Sequence, residues 1–230
     1  LILSVTTKNN ILDPNNKERE SLQEFSLSLF YEQSLQAILL GENKHKNQKD
    51  RTMNYQFIID KYYPQETPLR HILMVHSRQV ADRALLIADA HPELKMDRQF
   101  VEEAAMLHDI GIYLTDAPGI ECYGKEPYIL HGRLGAELMR KEGYPRHARV
   151  CERHTGAGIT IQEIESQHLP LPHQDFLPET LEEKVVCYAD KFYSKSHLDR
   201  VRTLEQAERS IARHGEDGLE RFKEWERLFE

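Results

Sequence analysis

Val101-Glu-Glu-Ala-Ala-Met-Leu-His108-Asp109-Ile110-Gly111 is the stretch whose reading decides the fold. Val101, Ala104, Ala105 and His108 fall at i, i+3, i+4 and i+7, the spacing of one helix face. The helix therefore ends in an adjacent imidazole and carboxylate aimed at the protein interior. Buried groups of this kind are costly unless something pairs with them. Either they satisfy each other and nearby backbone, or they hold a metal ion. Gly111 follows at once and is read as the residue that lets the chain turn away without a Cβ penalty.

Helical segments flank this stretch on both sides. Thr67-Pro68 is a start signal, a capping hydroxyl followed by proline at the first helical position. Leu69, Ile72, Leu73, His76, Val80, Ala84 and Ile87 then form one stripe up to about Ala90, where His91-Pro92 breaks it. Asp97 caps the helix that carries the His-Asp pair. Residues 111–128 contain Pro118, Gly119, Gly124 and Pro127 without a period, and read as a loop that closes over a site. A helix is expected from about Tyr128 to Glu142, stopped by Gly143, and a shorter one from Pro145 to near His154. Thr155 to Gly158 is a small-residue turn, and Thr160 to Gln167 adds a turn or two. His168 to Pro178 reads as an extended connection. Thr180 with Glu183 is a capping box that starts a helix through Val185, Tyr188, Ala189 and Phe192. Thr203 with Gln206 and Asp217 with Glu220 mark two amphipathic C-terminal helices. No strand alternation persists and no repeat occurs, so the expected class is all-α.

Composition narrows the function. The 230 residues suffice for one domain with a full core and an appendage. A formal net charge of -8 argues against a general binder of extended nucleic acid or membrane surface. The cysteines Cys122, Cys151 and Cys187 are far apart and form no C-x-x-C pair, so a disulfide framework or thiolate zinc site is not expected. No apolar run is long enough to span a membrane, and no signal peptide is evident. A cytoplasmic setting is the expectation. Residues 1–52 form a polar N-terminal extension with a candidate helix over 21–40 and a Lys-, Asn- and Gln-rich linker containing His45. Met53 is the first methionine, so these residues are expected to be a mobile segment or an upstream, non-native addition, the rival being a real helix that packs on the domain or a partner. The main domain is set at 53–230.

Five helical segments or their ends present metal-type ligands: His76, His108-Asp109, His131, His154 and Asp190. No two sit at the spacing of a local zinc helix, so a shared site needs convergence in a bundle. Each also has a plainer reading. His76 could be a core histidine, His131 and His154 helix-end surface residues, Asp190 an ion-pair partner of Lys191, and Cys187 a packing residue.

The ordered pattern His76, His108-Asp109, His131, His154, Asp190 resembles the HD superfamily of metal-dependent phosphohydrolases. The His-Asp-Ile-Gly form of the central motif matches its HDIG subgroup, and the six-residue order resembles members that hold two metals. His131-Gly-Arg-Leu-Gly-Ala-Glu, His154-Thr-Gly-Ala-Gly and Leu181 through Asp190-Lys191 are the supporting contexts. The last two are similar to segments of HD-type diadenosine tetraphosphate hydrolases. The resemblance covers roughly Thr67 to Ser194. The Gly-Tyr-Pro signature of the cyclic-di-GMP phosphodiesterase branch is absent in its proper place, since Gly143-Tyr144-Pro145 precedes His154. No second domain of the (p)ppGpp hydrolase kind is seen.

The resemblance implies a helical bundle with a five-helix core. It also implies one metal on His76, His108, Asp109 and Asp190, with Asp109 bridging to a second on His131 and His154. A nitrogen-and-oxygen set without thiolate suits two divalent ions of Fe, Mn, Co or Zn. Such ions acidify a water and polarise a phosphoryl oxygen. The expected reaction is hydrolysis of a phosphoester or phosphoanhydride of a small nucleotide-like metabolite. Asp109 and Lys191 are the expected catalytic residues. Lys191, Arg153, Arg133 and Lys125 are the candidate phosphate-binding cations. Tyr123 and Tyr128 either stack on a base or cover the core. Two rival readings share the ligands: a di-iron oxygenase of the same fold, and a degenerate binding or regulatory module. Homo-oligomer formation is left open.

Overall fold

The computed structural model describes residues 53–230. The expectations for residues 1–52, including the helix over 21–40, lie outside the described residues.

Nine α-helices follow one another among the described residues: α1 Tyr55–Tyr62, α2 Pro68–Ala90, α3 Arg98–Leu107, α4 His131–Lys141, α5 Pro145–Arg153, α6 Ile161–Ser166, α7 Leu181–Asp190, α8 Leu204–Ala212 and α9 Glu216–Phe229. The start signals act as expected. Thr67 accepts from the Arg70 amide at 3.2 Å, and Asp97 accepts from the Phe100 amide at 3.1 Å. Reciprocal capping boxes open α6 at Thr160, α7 at Thr180 and α8 at Thr203. The last helix departs from the reading: it begins at Glu216 behind Gly215, whose φ of 140° turns the chain, so Asp217 sits inside the first turn and is not the cap.

α2 packs against α3 and α7, and α4 packs along α5. Leu73, Val80, Val101, Ala104, Ala105 and Leu107 are completely buried between them. Each large apolar side chain so buried contributes about 1.5–3 kcal/mol. Tyr188 of α7 stacks on Phe222 with ring centroids 4.9 Å apart and meets Phe229 at 5.6 Å, which docks α9. Among the described residues, no helix is long and apolar enough to cross a membrane.

The segment between α3 and α4 is more ordered than its sequence suggests. It holds a small sheet of β1 (Thr115–Ala117), β2 (Cys122–Tyr123) and β3 (Glu126–Pro127), in the order β2-β1-β3. β1 pairs antiparallel with β2 and parallel with β3. Strands of two and three residues are too short to show alternation, which is why the segment reads as loop.

Gly111 has a different reason to be glycine than the one expected. Its φ of -86° is open to any residue. A Cβ there would lie 2.4 Å from the Gly135 amide nitrogen and 2.4 Å from the His131 carbonyl oxygen. The glycine is required because α4 presses directly on the chain after the His-Asp pair. Gly132 plays the matching part on the other side of α4, where a Cβ would meet the Cys151 carbonyl oxygen at 2.4 Å. These close approaches bring His131 and His154 to the end of α3.

Candidate metal centre and adjoining pocket

α3 delivers His108 and Asp109 into the interior, both with no exposure to solvent. Tyr63 fixes the chain that follows, its hydroxyl donating to the Ile110 carbonyl at 2.9 Å and accepting from the Tyr113 amide at 3.3 Å. His76 arrives from the middle of α2, His131 from the first residue of α4, His154 from the end of α5, and Asp190 from the last residue of α7. All six are buried.

The six side chains form two groups that share Asp109. In the first, Asp109 Oδ2 lies 3.2 Å from His76 Nε2 and 3.0 Å from His108 Nε2. Asp190 Oδ1 lies 3.0 Å from His76 Nε2 and 3.6 Å from His108 Nε2. In the second, Asp109 Oδ1 lies 3.5 Å from His131 Nε2 and 3.4 Å from His154 Nε2. The two carboxylate oxygens thus serve different groups. The six residues singled out in the sequence are thus brought together.

Hydrogen bonding fixes the ring orientations. His108 Nδ1 donates to the Ala105 carbonyl at 2.6 Å, His131 Nδ1 to the Tyr128 carbonyl at 2.7 Å, and His154 Nδ1 to the Cys151 carbonyl at 2.7 Å. A carbonyl can only accept, so each Nδ1 carries a proton and each Nε2 is the atom turned to the centre; on His108 burial is outweighed by the Asp109 carboxylate, which raises the pKa to about 9, so an ion held there would displace that Nε2 proton. His131 and His154 therefore bring two Nε2 lone pairs within 3.1 Å of one another. Burial and the neighbouring His154 push the His131 pKa down to about 3, and burial together with His108 lowers that of His154. The pair stays neutral.

Burial pushes the Asp109 carboxyl upward, but His108 and Lys195 outweigh it and hold the group well below the usual carboxylate range. For Asp190 the same opposition is won by Lys191 and Lys195. Both carboxylates are ionised at the centre of the fold. His76 Nδ1 and Nε2, His108 Nε2 and both oxygens of Asp109 lack an aligned hydrogen bond, although charged neighbours stand close by. Buried polar atoms in that condition cost about 1–3 kcal/mol each. Converging imidazole Nε2 atoms, ionised carboxylates and Nδ1 protons anchored on backbone carbonyls are the donor set of a divalent cation. The residues fit such an ion. Cys187 is no ligand: its thiol donates to the carbonyls of His154 at 3.2 Å and Gly156 at 3.4 Å.

Beside this centre opens a pocket of about 420 Å³, with Asp190, Lys191, Lys195, Tyr128, Tyr193 and Arg202 among its walls. The expected cations divide. Lys191 lines the pocket and is held by Asp190 Oδ2 at 2.6 Å and the His154 carbonyl at 3.0 Å. Arg153, Arg133 and Lys125 are not among the pocket walls. Arg153 points instead to the Leu177 carbonyl at 2.6 Å and to Glu179. Arg133 pairs with Glu137 at 2.9 Å one turn along α4. Lys125 is exposed on the loop. Partners elsewhere in the fold hold these arginines, which residue type alone does not reveal.

Lys195 is the residue that sequence reasoning missed. Its Nζ lies 2.6 Å from Asp109 Oδ2, on a side chain only 12% exposed. It follows the last ligand helix in an irregular turn and belongs to no motif, so its sole signal was a cation four positions after Lys191. Tyr128 covers a histidine of the centre: its ring lies 4.5 Å from that of His131 at 14°, and it is among the pocket walls. Tyr123 is exposed.

The HD domain family model matches residues 73–194, a range that holds all six ligand-type residues. A tRNA (cytidine(56)-2'-O)-methyltransferase of Picrophilus torridus is 37% identical over 164 residues, which is 67% of this chain and 42% of that protein. An uncharacterised protein of Methanocaldococcus jannaschii is 40% identical over 126 residues, 54% of this chain and 65% of that one. A tRNA (cytidine(56)-2'-O)-methyltransferase of Thermoplasma volcanium is 34% identical over 152 residues, 65% of this chain and 39% of its own length. The chain spans less than two thirds of each of these relatives. No solved structure matches.

Proposed function

Since the chain belongs to the HD domain family, we propose that it is a metal-dependent phosphohydrolase acting on a phosphoester or phosphoanhydride of a small, nucleotide-like metabolite. The observation that carries this reading is one juxtaposition. Two groups of ligand-type side chains share the single carboxylate Asp109, and they adjoin a pocket walled by Lys191, Lys195 and Arg202.

Divalent cations held by the two groups supply Lewis acidity and acidify water near neutral pH. The chain's own residues do the rest. Asp109 offers one oxygen to each group and sets their spacing. The backbone carbonyls of Ala105, Tyr128 and Cys151 keep three imidazoles turned with Nε2 inward. Lys191 brings positive charge to the edge of the centre without mobility, because Asp190 and the His154 carbonyl hold its ammonium. Phosphoryl transfer spreads negative charge over the equatorial oxygens, and a fixed cation at that point stabilises it. Arg202 donates to the carbonyls of Lys191 at 2.9 Å and Tyr193 at 3.0 Å, which fixes the turn presenting these groups. The cationic walls support an anionic substrate over an uncharged one.

Most of each tRNA methyltransferase relative lies outside the matching segment. We assign that segment the metal site and not the methyl transfer. The test is to load the full chain anaerobically with Mn(II) or Fe(II) and present nucleotides, dinucleoside polyphosphates and cyclic phosphates. Phosphate or phosphomonoester release without oxygen uptake is the expected result. Oxygen-dependent turnover of an unphosphorylated compound, or a silent panel, would overturn the proposal.

A further inference from the structure

We infer that Lys195 is the phosphate-gripping residue of the pocket, and that cation binding at Asp109 is what turns it to that task. The inference rests on the phosphohydrolase reading of the same site and names how its substrate is held.

Among the described residues, the ion pair of Lys195 is with Asp109 Oδ2, at 2.6 Å. That oxygen is also the one nearest His76 and His108. With His76, His108 and Asp109 holding a divalent ion, this carboxylate would be neutralised by it and not by the lysine. The ammonium, only 12% exposed, would then adjoin a like charge in a poorly hydrated setting, where such charges repel strongly. A largely buried ammonium that loses its counter-ion needs another anion. Lys195 is itself a wall of the pocket, so a small rotation of its flexible stem directs Nζ into that space. Lys191 cannot exchange partners in the same way, since Asp190 Oδ2 and a backbone carbonyl both hold it. The two lysines thus have different parts: Lys191 is fixed, and Lys195 is released when its carboxylate is claimed. The ligand this arrangement selects is a phosphate group that reaches the centre itself, bound only when the cations are present.

The experiment uses the full chain, metal-free and Mn(II)-loaded, with inorganic phosphate as the probe in calorimetry. Wild type should bind phosphate in the loaded form and at least tenfold more weakly in the metal-free form. Lys195→Met should weaken phosphate binding to the loaded protein about 10- to 100-fold, hold its full Mn(II) complement, and bind Mn(II) at least as tightly as wild type. Lys195→Arg should recover most of the phosphate affinity. Unchanged phosphate affinity in Lys195→Met overturns the inference, and so does loss of Mn(II) from that variant or failure of loaded wild type to bind millimolar phosphate. If phosphate binding follows Lys195 while every phosphoester is left intact, the inference stands and the phosphohydrolase reading fails.

Discussion

Gly111 and Gly135 meet backbone to backbone, so that a methyl group on the first would lie 2.4 Å from the amide nitrogen of the second. Neither partner can yield, because both are main chain. Gly111→Ala should therefore cost more than the roughly 1–3 kcal/mol typical of an overpacked core. It should also push His131 away from Asp109. Thermal unfolding and metal content, measured on the same sample, check this: a lower midpoint together with loss of about half the bound metal is the expected pair of results.

Metal stoichiometry separates the roles of the six ligand-type residues. Asp109→Ala removes an oxygen from both groups and should abolish binding at both. His154→Ala should empty the group made by His131, His154 and Asp109 and spare the other. Elemental analysis after loading gives the answer. An Asp109→Ala protein that keeps two ions per chain would show that the carboxylate does not bridge. A His154→Ala protein with unchanged content would make that histidine a bystander.

Glu142 links α4 to α1, accepting from Lys61 at 2.7 Å and from the Tyr62 hydroxyl at 2.6 Å. The Lys61 and Tyr62 hydrogen bonds lower its pKa below the ordinary 4.5. With the folded value depressed, the unfolded chain holds more protons at acid pH. The link therefore stabilises above about pH 4.5 and is lost as pH falls through the folded value. Glu142→Gln should destabilise by about 1 kcal/mol at pH 7. Urea titrations should show the gap from wild type closing below pH 4.5. A gap that is constant with pH would rule the mechanism out.

Glu183 is buried and caps α7 while accepting from Arg149 Nε of α5 at 2.7 Å. It ties together the two helices whose far ends carry Asp190 and His154. Glu183→Ala loses the cap and leaves Arg149 with Glu179 as its remaining carboxylate partner, for about 2 kcal/mol. Denaturant midpoints measure it. Glu183→Gln should restore part of the loss, since the amide oxygen can still accept from the capped backbone.

The helices and the ligand order were legible because both rest on local signals. Thr67-Pro68, Asp97 and the Thr180/Glu183 box name their helix starts by chemistry confined to four residues. His108 sits on an apolar stripe, and the partners of an interior imidazole can be sought along the chain. What stayed hidden depends on direction and distance across the fold. Arg153 and Arg133 have the right charge but point to Glu179 and Glu137. Lys195 has no motif around it and gains its meaning only from a contact 86 positions away in the chain, at Asp109. Gly111 looked like a turn residue because the backbone it accommodates belongs to α4.

Residues 73–194 contain every ligand-type side chain, whereas Lys195, Ser196, Arg202, Ser210, Ile211 and His214 of the pocket wall come after that span. The pocket is thus written on both sides of residue 194, since Ala117, Gly119, Ile120 and Tyr128 wall it from the segment before α4. Drift in the tail can reshape part of the wall while the six ligand-type residues stay unchanged. Homologues that share the six ligand-type residues can then diverge in diet, and exchanging the tail after residue 194 between two of them should carry over part of the preference, with the rest in the segment before α4.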